Sequence, residues 1–130
     1  MREVYIDIDV KFESFKQLKV YELIKQNIPI IRKKFGDFDL WMRRSSSGNV
    51  HMRLDFYFDS DLTVLEHFQV RSMMHDDIYR IGIDLRRLTL QGENEINRIF
   101  DMKAKNGKIY RASPWILSDY DLSFKEMNEE

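Results

Sequence analysis

The sequence predicts an α+β fold of the ferredoxin-like or RNA-recognition type, a split βαβ arrangement with a four-stranded antiparallel sheet and two helices on one face. Four segments alternate apolar and polar residues with a period of two, which is typical of half-buried strands. Two segments between them repeat apolar residues every three or four positions, which is typical of amphipathic helices. The order strand, helix, strand, strand, helix, strand predicts that strand four lies beside strand one, with strands one and three in the centre of the sheet.

The strand segments are residues 4–11, 38–43, 50–58 and 79–86. Successive side chains of a strand point to opposite faces, so each segment has one apolar face and one polar face. If the helices cover the apolar face, the opposite face of the sheet carries charged, histidine and aromatic side chains. We expect there Tyr5, Asp7, Asp9, Lys11, Asp39, Trp41, Arg43, His51, Arg53, Asp55, Tyr57, Arg80, Asp84 and Arg86.

The first helix is predicted over residues 15–35, with Ser14 as its N-cap and Gly36 as the residue that ends it. Pro29 interrupts this segment. Because a proline removes one helical hydrogen bond and its ring collides with the preceding turn, we expect a kink or a break near Asn27.

The second helix is predicted over residues 62–74, after an N-cap within residues 59–61. Residues 94–105 are a candidate for a further short helix, and the tail from Ile109 is expected to fray or to wrap the body. The expected organisation is a core over residues 1–88 and a C-terminal extension over residues 89–130.

Composition excludes several classes of protein. The chain has 130 residues, enough for one domain, with 43% hydrophobic and 33% charged residues, which is typical of a globular protein. No apolar run approaches the ~18 residues that span a membrane, so we expect no membrane association. The absence of cysteine excludes disulfides and thiolate metal ligands and suits an intracellular location. A net charge of −1 means that any nucleic-acid contact must come from a local patch.

Three carboxylates are predicted to converge from adjacent strands, those of Asp7, Asp9 and Asp84. Such oxygen ligands suit Mg²⁺ or Mn²⁺, which bind carboxylates together with substrate phosphates. Two such ions can activate an attacking hydroxyl and stabilise a leaving pyrophosphate in nucleotidyl transfer. A histidine and arginines beside them can neutralise a triphosphate.

These residues resemble the motifs of the archaeo-eukaryotic primase (primase-polymerase) superfamily. Tyr-Ile-Asp7-Ile-Asp9 resembles its hydrophobic-Asp-x-Asp motif. Ser-Ser-Ser-Gly-Asn-Val-His51 resembles its second motif, a Ser/Gly-rich turn followed by a histidine on a strand. Arg-Ile-Gly-Ile-Asp84 resembles its third motif. The three motifs stand in the family's order, and the resemblance covers residues 2–88.

The resemblance implies that the three aspartates hold the metal ions and that His51 contacts the incoming nucleotide. Candidate partners of its phosphates are Arg43, Arg53, Ser47 and Gly48, with Arg44 beside them. The chain departs from the family because it lacks a further subdomain and zinc-binding cysteines. The stretch of sequence from His51 to Asp84 is also short for the family. It is therefore expected to be a minimal or degenerate relative, of the kind expected on archaeal viruses or plasmids, and within a host cell if viral. Whether it is an active nucleotidyltransferase stays open.

Two other functions compete with this interpretation. A single-stranded nucleic-acid binder of the RNA-recognition type would stack bases on Tyr5, Trp41 and Tyr57 and hold phosphates with arginines, among them Arg80. A homodimeric interaction protein would bury the same aromatics at its interface, and a partner subunit could supply a missing part of the site. Taken singly, the aspartates are ordinary solubilising charges, His51 an ordinary hydrogen-bonded histidine and the serine-rich segment an ordinary hairpin turn.

Overall fold

Alternating apolar residues build the central sheet, as the sequence predicts. The computed structural model describes residues 1–118. The strands are β1 (Glu3–Lys11), β2 (Phe38–Arg44), β3 (Asn49–Phe56), β4 (Met102–Lys105), β5 (Lys108–Arg111) and β6 (Ile116–Ser118). The helices are α1 (Lys19–Phe35), α2 (Val64–Met73) and α3 (Ile78–Gln91), with 3₁₀ turns at Phe12–Gln17 and Glu93–Glu95. The α+β class and the four-stranded antiparallel sheet are confirmed, and the strand order is β1-β3-β2-β6.

The core lies between the sheet and the first two helices. Val4, Ile6 and Ile8 are buried on the inner face of β1, and every second residue of β2 and β3 joins them. The inner face of α1 supplies further buried apolar side chains, including those of Ile24 and Ile28. Burial of such side chains is the main favourable contribution to folding, of the order of 1.5–3 kcal/mol for each one.

Helix α1 begins later than expected and continues past its proline. Residues 12–17 form a 3₁₀ turn, so the helix starts at Lys19 and not after Ser14. The helix has no break near Asn27, because it continues from Lys19 to Phe35 with Pro29 inside it, and the kink stays a prediction. Pro29 lies on the exposed side of the helix. Packing of the opposite side against the core compensates there for one missing hydrogen bond.

Helix α2 also begins later than expected, since its N-cap is Thr63 and not a residue of 59–61. The Thr63 hydroxyl accepts from the backbone N–H of Glu66, and the Glu66 carboxylate accepts from the backbone N–H of Thr63. This reciprocal capping box satisfies two N–H groups that would otherwise lack partners.

The predicted fourth strand, residues 79–86, is wrong, because these residues lie within helix α3. Asp77 caps the helix, its carboxylate accepting from the N–H of Tyr79 at 2.9 Å. The segment alternates, but Ile78, Ile81 and Leu85 also stand at helical spacing, so its pattern satisfied both periods. The fourth strand is β6, which pairs with β2 at the opposite edge of the sheet.

Side chains and a loop, not a strand, form the hydrogen bonds to the backbone groups at the outer edge of β1. The backbone N–H of Asp7 donates to the Asp76 carboxylate, and the backbone carbonyl of Asp7 accepts from the N–H of Asp77, both at 2.7 Å. The Arg80 guanidinium donates to the carbonyl of Tyr5 at 2.8 Å. Because these bonds use the groups that a neighbouring strand would need, strand pairing at this edge is blocked.

Asn97 completes this edge and explains why residues 94–105 are not the predicted helix. It has a positive φ of 67°, accepts from the N–H of Tyr5 at 2.8 Å and donates to the carbonyl of Glu3 at 2.7 Å. Only Glu93–Glu95 is helical there, as a 3₁₀ turn, and Met102–Lys105 pairs as a strand with Lys108–Arg111.

The expectation for the end of the C-terminal tail concerns residues 119–130, which lie outside the described residues. Within residues 1–118, none of the helices has the length and apolar character to cross a membrane.

Candidate functional site

A pocket of about 390 Å³ with both charged and apolar lining residues lies between the β2–β3 turn, the polar face of β1, the inner side of α3 and the segment that leads into β4. Asp7 and His51 lie in it, and the serine residues of the turn line one side. Its other charged residues are Asp77, Arg80, Asp84, Arg87, Arg98 and Lys103. The pocket therefore combines residues from all three of the predicted motifs.

Strand register places Asp7 directly opposite His51 on β3. The Asp7 Oδ1 and His51 Nε2 atoms are 3.8 Å apart. On the other side of the ring, Arg43 donates from Nε to His51 Nδ1 at 3.0 Å. An arginine cannot accept, so Nδ1 carries no proton and the neutral ring presents its Nε2–H toward Asp7 and the pocket.

The two side chains have strongly shifted acidities. Burial, and then the charges of Arg43 and Arg80, lower the pKa of His51 to about 3, so the ring is neutral at physiological pH. Burial raises the pKa of Asp7 to about 6, helped by Asp76, Asp77 and Asp9 and opposed by Arg80. Asp7 therefore gains and loses its proton near pH 6, while His51 remains a neutral hydrogen-bond donor.

Four cationic side chains line the pocket, and they differ in burial and in the partners that they already bind. Arg80 is mostly buried and already donates to the backbone and to Asp76, so it contributes charge more than contact. Arg98 is paired with Glu95 at 2.7 Å. Arg87 is 42% exposed and lies 3.6 Å from the Asp84 carboxylate, and the ammonium of Lys103 donates to the hydroxyl of Ser47 at 2.9 Å. Arg87 and Lys103 are the cations best placed to meet an anion.

The serine-rich turn is both a hairpin turn and a wall of the pocket. The Ser45 hydroxyl accepts from the N–H groups of Ser47 and Asn49 at 3.2 and 2.9 Å, which fixes the loop. Gly48 has a positive φ of 83°, which suits glycine at this turn. Ser46 and Ser47 line the pocket, whereas the pocket residues do not include Gly48.

The three carboxylates do not form the predicted metal-binding set. Asp84 is 2% exposed, and its Oδ2 accepts from Arg71 at 2.7 Å and from the N–H of Asn97 at 3.1 Å. Asp9 is exposed, accepts from Asn49 at 3.2 Å and does not line the pocket. Over residues 1–118 no cluster of three or more histidines and carboxylates is arranged to hold a metal ion. The structure therefore does not bring the three carboxylates together, and Mg²⁺ or Mn²⁺ binding itself stays a prediction.

The predicted open sheet face is covered. Trp115 lies over it, with its ring 4.2 Å from the Arg43 guanidinium, 5.0 Å from that of Arg53 and 6.1 Å from the ring of Tyr5. Arg43 is buried and pairs with Asp101 at 2.7 Å. These residues hold the C-terminal segment on the sheet.

The other predicted contacts on that face are also engaged within the protein. Arg53 pairs with Asp55 at 2.9 Å and stacks on Trp41, whose ring is 5.0 Å away. Tyr57 is 44% exposed and donates its hydroxyl to Asp39 at 3.2 Å. Of the predicted stacking residues, only Tyr57 presents a large exposed ring.

Sequence reasoning missed Asp77, Arg87, Arg98 and Lys103 as pocket residues. A helical interpretation of residues 78–91 would have found one of them, because Arg80, Asp84 and Arg87 stand at spacings of four and three on one side of a helix. Long-range contacts hold the segment of Arg98 and Lys103 at the pocket, among them those of Asn97 with β1 and of Arg80 with the Arg98 carbonyl. No local pattern predicts such contacts.

No protein family, curated protein or solved structure matches the chain.

Proposed function

We propose that the protein binds a nucleotide through its phosphates in this pocket. The observation that supports the proposal is the meeting of the cationic side chains of Arg87 and Lys103, serine hydroxyls and the Nε2–H of neutral His51 around one cleft. The proposal retains the nucleotide-binding part of the primase-polymerase interpretation and does not depend on a metal ion.

The donors suit phosphate oxygens. A guanidinium such as that of Arg87 can bind two phosphate oxygens at once, and an ammonium such as that of Lys103 binds as a compact point charge. Serine hydroxyls and a neutral imidazole N–H add donors without adding charge. Together they offer a phosphate group several hydrogen bonds in a partly enclosed space, where such bonds are stronger than in water.

The pocket also has an apolar wall that suits a base or sugar. Ile83 of α3 lines the pocket together with Ile99, Phe100 and Met102 of the segment that leads into β4. Binding pockets for small organic ligands have volumes from about 300 Å³ upward and combine apolar walls with a few placed polar groups. This pocket lies at the lower end of that range and has both kinds of lining.

Asp7 gives the site a dependence on protonation. As a carboxylate it repels phosphate, and as a carboxylic acid it can donate to a phosphate oxygen. A pKa of about 6 places this change at the edge of the physiological range. We therefore expect Asp7→Asn, which removes the negative charge, to retain or strengthen nucleotide binding at neutral pH. A site that holds metal ions through Asp7 predicts the opposite result.

The experiment is an equilibrium titration of a fluorescent nucleoside triphosphate in EDTA, with Arg87→Gln compared with Arg86→Gln. Both residues belong to α3, but Arg86 is exposed and does not line the pocket. Loss of one charge-assisted contact is worth about 1.5–3 kcal/mol, so we expect Arg87→Gln to weaken binding about tenfold or more. Arg86→Gln should remain within about twofold of wild type.

Absence of saturable binding to the wild-type protein at millimolar nucleotide, or equal losses in the two variants, would contradict the proposal. A second titration in Mn²⁺ tests the metal-dependent alternative. If Asp9→Ala abolishes binding there, the metal-dependent alternative is correct, because Asp9 does not line the pocket and our proposal gives it no role.

A further inference from the structure

A short basic hairpin projects from the end of the pocket. β4 and β5 are four residues each and pair in register from Met102↔Arg111 to Lys105↔Lys108. Asn106 and Gly107 join them with φ values of 53° and 76°, the two positive values that a tight type I′ turn requires. We call residues 102–111 the basic arm. Every residue of the arm is exposed, so none of its side chains is needed for the core.

The charge of the arm has one sign. It contains four cationic residues and no aspartate or glutamate, although the whole chain has a net charge of −1. Alternation and register place Lys103, Lys105, Lys108 and Tyr110 on one face of the hairpin, with Lys103 opposite Tyr110 and Lys105 opposite Lys108. Within residues 1–118, Lys105, Lys108 and Arg111 take part in no ion pair.

The basic face is continuous with the pocket. Lys103 lines the pocket and contacts Ser47, and it is also the first cation of the arm's basic face. Lys105 follows two residues later, about 7 Å farther along the strand. A polyanion bound in the pocket by one phosphate can thus meet Lys105 and Lys108 with the phosphates that follow.

We propose that the basic arm binds the backbone of a single-stranded nucleic acid and guides its end into the pocket. The inference rests on the proposed function, because the pocket would take the terminal nucleotide. Tyr110 favours a nucleic acid over an acidic peptide, since its exposed ring lies among the lysines and can stack on a base. The arm is also the kind of local basic patch through which a protein with a net charge of −1 can contact nucleic acid.

The first test is the salt dependence of oligonucleotide binding. Each phosphate contact on a single strand contributes about −0.7 to the slope of log K against log salt. The Lys105→Gln, Lys108→Gln double variant should therefore make the slope about 1.4 less steep and weaken binding at low salt. The matched control is Lys19→Gln with Lys33→Gln, which removes the same charge from exposed positions on α1. The control should leave the slope unchanged.

The second test separates stacking from charge. Tyr110→Ala should weaken binding of a short oligothymidine about fivefold or more, whereas Tyr110→Phe, which keeps the ring, should not. Fluorescence anisotropy of the labelled oligonucleotide reports both tests. Polyglutamate of similar length and charge is added as a competitor, and we expect it to compete poorly.

The outcomes distinguish the arm from the pocket. If the Lys105, Lys108 double variant and Tyr110→Ala leave oligonucleotide affinity unchanged, or if polyglutamate competes equally well, the inference is wrong. If the arm variants weaken oligonucleotide binding but the wild-type protein does not bind nucleoside triphosphate, the arm's role stands and the proposed function fails. If the arm variants also weaken triphosphate binding to the same extent, the arm is only part of the pocket and the inference fails.

Discussion

Replacement of Asp7 by Asn is expected to stabilise the protein. The pKa of Asp7 rises from 3.8 to about 6 because the side chain is taken partly out of water. A raised pKa contributes stability that is fully present below 3.8 and is lost as the pH rises through about 6. At neutral pH the folded protein therefore bears the cost of an ionised Asp7. The shift corresponds to at most about 3 kcal/mol, and because the side chain is 33% exposed we expect about 1–2 kcal/mol after screening.

Urea unfolding of wild type and Asp7→Asn measures this cost. The variant should be more stable by about 1–2 kcal/mol at neutral pH, and the difference should shrink toward zero near about pH 4. The folded-state pKa values of His51 and His67 are lowered to about 3, so acid destabilises both proteins, but it does so equally and cancels in the difference. Asp9→Asn is an exposed change two residues along the same strand. It should change the free energy of unfolding by no more than about 0.5 kcal/mol at either pH. No gain at neutral pH, or a gain of the same size at both values of pH, would refute the reasoning.

The remaining predictions concern stability. Arg71 is fully buried and lies 2.7 Å from the carboxylates of both Asp76 and Asp84, so Arg71→Met leaves buried charge uncompensated and should cost about 3–5 kcal/mol by urea unfolding. A Cβ at Gly36, where φ is 110°, would collide with the side chain of Ser60, so Gly36→Ala should cost more than about 1 kcal/mol in the same assay. Gly82→Ala lies in open space within α3 and should stabilise by about 0.5–1 kcal/mol.

Each of these predictions has a contrary result. The control for Arg71→Met is Arg44→Gln, because Arg44 pairs with Glu13 and both side chains are exposed. It should cost less than about 1 kcal/mol. Equal losses in Arg71→Met and Arg44→Gln would show that burial does not set the cost. A stabilising Gly36→Ala or a destabilising Gly82→Ala would show that the backbone at that position differs from the one described.

Periodicity predicted the parts of the fold whose structure is set locally. The alternation of β1, β2 and β3 reflects burial of one face, and the three- and four-residue spacing of α1 reflects burial of one stripe. The same reasoning placed Asp7 and His51 on one face of neighbouring strands, and the register shows them directly opposite each other.

Long-range contacts set the parts that the sequence did not predict. Residues 79–86 fit both periods, and the choice of helix depends on the cap by Asp77 and on the ion pair of Asp84 with Arg71 of α2. Asn97 and Trp115 each depend on partners far away in the chain, at the edge of β1 and on the sheet face. Because of these contacts, the sheet face that was expected to be open is covered by Trp115, and a pocket lies beside β1.

The most direct test of the central claim is to locate a bound nucleotide by its effect on the histidines. The chain has three of them, so selective labelling of their rings gives three sets of NMR signals. His51 lines the pocket, while His75 is exposed and does not. Titration with a nucleoside triphosphate in EDTA should shift the His51 signals in a saturable way and leave those of His75 in place. Unchanged His51 signals at saturating nucleotide, or equal shifts of both rings, would contradict binding in the pocket.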